Sequence, residues 1–153
     1  MMIRPAKRED ILEMGKMYEI VAEVHKEYHP IFHEVENCGV NAVTTNYIDN
    51  RNGIAFVAEE NSEIVGFAGA QIKLMPETFK IKYTLHLTDV VVLPEYRGKG
   101  IGLKLIEKIK EWAGENKIQY ITLSVSFKNN FAVQLYEKAG FKDLSKDMIM
   151  DVD

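Results

Sequence analysis

One stretch constrains the fold more than any other. Val90-Val91-Val92-Leu93 is an unbroken apolar run that stops at Pro94. A basic glycine loop follows, Arg97-Gly98-Lys99-Gly100-Ile101-Gly102, and a helical pattern opens directly behind it. The apolar run predicts a strand buried on both faces. Glycines let backbone approach a ligand closely, and the N–H groups at a helix start favour phosphate. Arg97 and Lys99 add positive charge, so a pyrophosphate suits this place. The alternative is a tight strand-to-helix turn that holds no ligand.

Two nucleotide motifs fail on spacing. A P-loop needs Gly-Lys-Ser/Thr, whereas Ile101 and Gly102 follow Gly100. A Gly-x-Gly-x-x-Gly fingerprint beginning at Gly100 meets Leu105 in its last position.

The rest of the chain supplies the surrounding elements. Ile3-Arg4-Pro5 reads as a short strand ended by proline. Ile11, Met14, Tyr18, Val21 and Tyr28 recur near helical spacing until Pro30 interrupts them. A second helix is expected through Val43 to Ile48, before the turn at Asn50-Arg51-Asn52-Gly53. Ile54 to Ala58 and Ile64 to Leu74 predict a hairpin, and Tyr83 to Leu93 a further strand. Leu105, Ile106, Ile109 and Trp112 mark an amphipathic helix. A strand over Tyr120 to Phe127, a helix over Asn130 to Lys138 and a last strand over Phe141 to Val152 complete the order. Segments in the order β-α-α-β-β-β-α-β-α-β predict an α/β (α+β) fold with one mixed sheet and helices on its faces.

Composition narrows the function. The 153 residues are 46% hydrophobic, enough for a self-sufficient core at this length. Nineteen Lys and Arg against 23 Asp and Glu give a net charge of -4, which argues against a nucleic-acid partner. Cys38 is the only cysteine, so an intrachain disulfide and a thiolate zinc site are excluded. No stretch approaches a membrane-spanning length, and the plain expectation is a soluble cytoplasmic domain without a membrane partner. His25, His29 and His33 stand four apart, but Pro30 breaks their register, and no metal is expected.

Two blocks carry a family likeness. Arg97, Gly100 and Gly102 match the pattern Gln/Arg-x-x-Gly-x-Gly/Ala. Asn129, Ala132, Leu135, Tyr136, Gly140 and Phe141 match Asn-x-x-Ala-x-x-Leu-Tyr-x-x-x-Gly-Phe. In both blocks, their spacing and the order of elements, the chain resembles the GNAT superfamily of acetyl-CoA-dependent N-acetyltransferases. The resemblance implies a single N-acetyltransferase domain over residues 1–153. It also implies a central mixed, twisted sheet with helices on both faces and a splay between the fourth and fifth main strands. His25 to Ile54 would be the variable, substrate-facing part.

The same resemblance assigns roles. Acetyl-CoA is the implied co-substrate. The backbone of Val90, Val91 and Val92 would bond its pantetheine arm as another strand would. Amides from Gly98 to Gly102, with Arg97, Lys99, Gly100 and Ile101, would hold its pyrophosphate, and Asn129 would sit beside it. Tyr136 stands at the family tyrosine and would protonate the leaving sulfur; its other reading is a core aromatic.

The general base is less direct. Ser124 stands where alanine acetyltransferases of ribosomal proteins carry glutamate, and His86 aligns with the glutamate of histone acetyltransferases. Thr88-Asp89 stands where polyamine acetyltransferases carry Glu-Asp. His86 has an ordinary pKa of ~6.5 suited to a base, while Asp89 would orient water or attract the amine. On a regular strand the two would face opposite sides unless a bulge intervenes.

Acceptors compatible with this reading are a small amine, a polyamine, a peptide N-terminus or a protein lysine. Acidic residues between Glu19 and Asp49 would form a lip attracting a cation, or else a solvated helix face. A non-catalytic acyl-CoA sensor and a transferase of a longer acyl group are the competing functions. A homodimer through a terminal edge strand at Met148 to Val152 is the expected partner state.

Overall fold

In the computed structural model, residues 1–28, 31 and 36–152 are described. The strands are β1 (Met2–Pro5), β2 (Gly53–Glu60), β3 (Glu63–Leu74), β4 (Tyr83–Val92) and β5 (Ile121–Thr122). The α-helices are α1 (Ile11–Tyr28), α2 (Gly39–Val43), α3 (Ile101–Glu115) and α4 (Asn130–Ala139). The strands lie in chain order across one sheet. The first four run antiparallel to their neighbours, and β4 and β5 are parallel.

Helices cover both faces, as the pattern of elements predicts. Ala68, Ala70, Leu85 and Leu87 pack on one face against Ile101, Leu105, Ile106 and Ile109 of α3. Val57, Phe67 and Val91 pack on the other against Met14, Met17 and Tyr18 of α1, with Val43 and Tyr47 beside them. Phe67 and Leu105 are fully buried, and such side chains contribute about 1.5–3 kcal/mol each. Arg4 fixes the β1 edge by pairing with both Asp10 and Glu59, each at 2.8 Å.

The second helix starts earlier than its periodicity predicts and changes pitch. α2 ends at Val43, and Thr44–Ile48 continues as a π-helical turn closed by Asp49 N–H on the Thr44 carbonyl at 2.8 Å. Thr44 and Thr45 each bond the carbonyl four residues back, to Val40 and Asn41. Such back-bonding competes with the helical ladder and favours a bend.

Two strand expectations are corrected. β5 is two residues long rather than spanning Tyr120 to Phe127. Its partner β4 bends away after the second residue pair, so the chain beyond Thr122 has no ladder to join. Residues 141–152 form no strand, and Leu144, Met148, Met150 and Val152 are exposed. Met148-Ile149-Met150 lacks the alternation that would assign one face to a core. The terminal edge expected to carry a homodimer is therefore absent among the described residues.

Candidate active site

β4 holds the key irregularity. Gly69 pairs with Asp89 but Ala70 pairs with Leu87, so Thr88 is an extra residue with no partner on β3. Such a bulge bends its strand and resets its alternation. Gln71 lies opposite His86, and Gly69 lies opposite Asp89. Directly paired residues share a face. His86 and Asp89 therefore point to the same side of the sheet, the side covered by α1 and the π-helical turn. A bulge, the exception to regular alternation, is present at Thr88.

Asp89 is buried at 5% exposure and accepts a hydrogen bond from the Tyr47 hydroxyl. Tyr47 enters from the π-helical turn and lies flat where a side chain on Gly69 would be. A Cβ on Gly69 would stand 2.2 Å from Tyr47 Cζ. Burial first, and the Asp89 charge second, push the Tyr47 hydroxyl far above its ordinary pKa, so it keeps its proton. Sequence reasoning missed Tyr47. A glycine inside an apolar strand was the available signal, because it marks a close approach by another group.

His86 is half-buried, with Nδ1 3.1 Å from Thr122 Oγ1 across the last β4–β5 pair. Burial, helped by the Lys73 charge, lowers its pKa, which leaves the ring neutral at pH 7. Tyr136 sits on α4 with its ring edge-on to Phe141 at 5.9 Å. Burial and the charge of Asp89 push its hydroxyl up to about 12. Asp89 and Tyr136 thus lie within electrostatic reach of each other although they belong to different layers.

The β4–β5 ladder ends at His86 and Thr122, and the two chains part beyond it. Leu93 donates its N–H to the Val65 carbonyl at 2.9 Å. Alternation along the antiparallel ladder then turns the Val91 groups toward β3 and those of Val90 and Val92 toward the open edge. The Val92 carbonyl accepts a bond from Arg97 Nε at 3.0 Å, as that direction requires. The three valines, alike in sequence, are therefore not equivalent: the backbone of Val91 bonds to β3, while that of Val90 and Val92 faces the slot.

The glycine loop follows. Gly98 and Gly100 both have φ of +77°, and Gly100 caps α3 in the left-handed region. A Cβ at either would touch nothing within 4 Å, so backbone conformation explains these glycines, and space is left above them. Amides of Ile101 and Gly102 lie in the first turn of α3, where helical acceptors are missing. A Cβ on Gly102 would come 3.2 Å from Leu135 Cδ2, which explains this glycine by the α3–α4 approach. Lys99 lies over the Tyr96 ring at 4.8 Å. Asn129 caps α4, its Oδ1 accepting from the Ala132 N–H at 3.2 Å. Open amides, a left-handed double-glycine turn and an unpaired strand edge fit an acyl-CoA.

The other candidate residues divide. Glu19 bonds the Gly39 N–H at 2.6 Å and Asp49 pairs with Arg8, so these two serve the scaffold rather than a free acidic lip. Glu23 and Glu27 are exposed on α1. His29, His33 and Glu34 lie outside the described residues. Among the described residues, no group of three or more His, Cys, Asp or Glu is arranged to hold a metal. No described helix is long and apolar enough to cross a membrane.

Comparison with known proteins agrees with this geometry. An uncharacterized N-acetyltransferase of Bacillus subtilis, YhfO, is 28% identical over 143 residues, covering 94% of this chain and 91% of that protein. The thialysine N-epsilon-acetyltransferase of Sus scrofa is 42% identical over 62 residues, or 40% of this chain and 36% of that enzyme. A predicted acetyltransferase of Clostridium acetobutylicum, solved with acetyl-CoA, superposes with a TM-score of 0.77 at 22% identity, covering 98% of this chain and 95% of that one. A model of the Acetyltransferase (GNAT) family matches residues 18–141. The chain is an acyltransferase and belongs to the Acetyltransferase (GNAT) family.

Proposed function

We propose that the chain moves an acetyl group from acetyl-CoA to a primary amine by direct attack within a ternary complex. The observation that carries the site is the Thr88 bulge, which brings His86 and Asp89 to one face beside the open edge of β4. The nearby Sus scrofa relative, named for acetylation at an N-epsilon position, supports an amine acceptor of that kind.

The chemistry sets what each residue must supply. A lysine-like amine has a pKa of ~10.4, so about one molecule in a thousand is neutral near pH 7.4, a cost of about 4 kcal/mol. Asp89 attracts the ammonium form. His86, kept neutral by burial, receives the proton directly or through water. The amine nitrogen then bonds the acetyl carbon as the carbon–sulfur bond breaks.

Tyr136 faces the departing sulfur. Its pKa of about 12 lies ~3.5 units above that of a thiol, so complete proton transfer is uphill by about 5 kcal/mol. Tyr136 therefore stabilises the sulfur as a hydrogen-bond donor, and the proton that balances the reaction comes from the amine. When bound, acetyl-CoA supplies the activated acetyl group. Val90 and Val92 bind its arm, amides from Gly98 to Gly102 with Arg97 and Lys99 bind its phosphates, and Asn129 contributes Nδ2.

Thiol release measured across a panel of small amines, polyamines, peptides and lysine-bearing proteins tests this reading. CoA binding without turnover on the whole panel would favour a sensor, and turnover confined to longer donors would change the acyl group. A homodimer is tested by light scattering, and a monomer at tens of micromolar removes it.

A further inference from the structure

We propose that Tyr47 is a positioning residue, which holds the Asp89 carboxylate in place and ionised for the acceptor amine. The inference rests on the reading of Asp89 as the group that attracts the amine. Three features of the fold converge on this contact. The π-helical turn Thr44–Ile48 follows α2 and presents Tyr47 to the sheet; single-turn π segments recur at functional sites. Gly69 leaves room for the ring, since any Cβ there would overlap it. The Thr88 bulge turns Asp89 toward the same point. A buried carboxylate needs such a donor to stay charged, because burial alone favours its neutral form.

The groups around this contact come from several elements. Tyr47 faces Asp89 from the π-helical turn, Tyr18 of α1 acts on Tyr47, and Tyr136 of α4 feels the carboxylate charge. His86 shares the face on β4, and Lys73 of β3 acts on His86. Tyr47 donates its hydroxyl hydrogen to Asp89 Oδ2. Its hydroxyl stays protonated at any working pH, so its part is donation and not proton transfer.

Tyr47→Phe tests the assignment, because it keeps the ring over Gly69 and deletes the donor. Loss of a hydrogen bond to the charged form raises the Asp89 pKa. The acid limb of kcat/KM for the amine should therefore move up by about one to two pH units. The amine KM at neutral pH should rise roughly tenfold or more, and the Kd for CoA should stay within about twofold. Difluorotyrosine at position 47, a stronger donor of nearly the same shape, should move the limb down and covers the case in which Tyr47→Phe folds poorly.

Asp89→Asn separates the two ways of failing. An altered amine KM in Asp89→Asn with an unmoved acid limb in both position-47 variants overturns the role of Tyr47 alone. An unaltered amine KM in Asp89→Asn overturns the reading of Asp89 and this inference with it. A lower melting temperature in Tyr47→Phe with an unmoved limb identifies the hydroxyl as structural and also overturns the proposal.

Discussion

His86 and Asp89 are three residues apart on one strand and yet share a face, because Thr88 stands between them without a partner on β3. That relationship converts a sequence of alternating sides into a pair of ionisable groups in one region. It also sets the order in which the site is best dissected.

Tyr136→Phe keeps the packing on Phe141 and removes the hydroxyl. Loss of a hydrogen bond to a developing thiolate should lower the saturated rate roughly 10–100-fold, with CoA affinity little changed. A loss nearer 10³–10⁴-fold would instead indicate complete proton transfer by this residue. Steady-state kinetics with the best acceptor of the panel decides between them.

Asp89→Asn should lower the Tyr136 pKa from its value of about 12. It should remain above the ordinary tyrosine value, because burial is the larger cause and persists in the variant. A titration of ring-labelled tyrosine by NMR, with Tyr136→Phe as the assignment control, reads the shift.

Gly100→Ala and Gly100→Glu form an informative pair. Both place a Cβ on a residue with φ of +77°, at a cost of roughly 1–2 kcal/mol. Since nothing lies within 4 Å of that Cβ, Gly100→Ala should lower the melting temperature and retain CoA binding. Gly100→Glu should lose binding as well, through bulk and like charge. Calorimetry showing equal affinity in the two folded variants would remove the phosphate from this loop.

Gly69→Ala should destabilise by about 1–3 kcal/mol, because the new methyl must displace the Tyr47 ring. Thermal unfolding gives the size, and the amine KM should rise in the same variant as the ring carries its hydroxyl away from Asp89.

His86 predicts a pH-dependent loss of stability. Its pKa is lowered in the folded chain, so below about 6.5 the unfolded chain takes up the proton first. Stability from this group is intact above that pH and is lost as the pH falls toward the folded value. Chemical denaturation between pH 7.5 and 5 should show a decline that His86→Gln reduces.

The sequence made the sheet order legible where local signals and burial agree. Val90 to Leu93 reads as a buried strand because its neighbours on both faces are apolar, and Leu105, Ile106 and Ile109 mark the helix packed against it. β5 was overextended because Ile121 to Phe127 has strand-forming residues, while its pairing depends on where β4 bends, a property of another segment. The last strand failed for a related reason: Met148-Ile149-Met150 is apolar without an alternating face. The loop glycines were found by spacing. Tyr47 was not, because its meaning lies in Gly69 and Asp89, residues 22 and 42 positions away that come together only through the register of three strands and a π turn.

The bulge at Thr88 is an insertion that can be undone. Leu87 faces α3 and Asp89 faces α1, so joining them directly would restore ordinary alternation and leave every later side chain on its present side. As an unpaired residue, Thr88 adds length to one strand and so forces it to curve away from β5. A chain lacking only that residue would carry the same core and the same ionisable groups on a straighter strand. Its fifth strand would then be free to zip along the edge that Val90 and Val92 now leave open, and the seat proposed for the pantetheine arm would be filled by the protein itself.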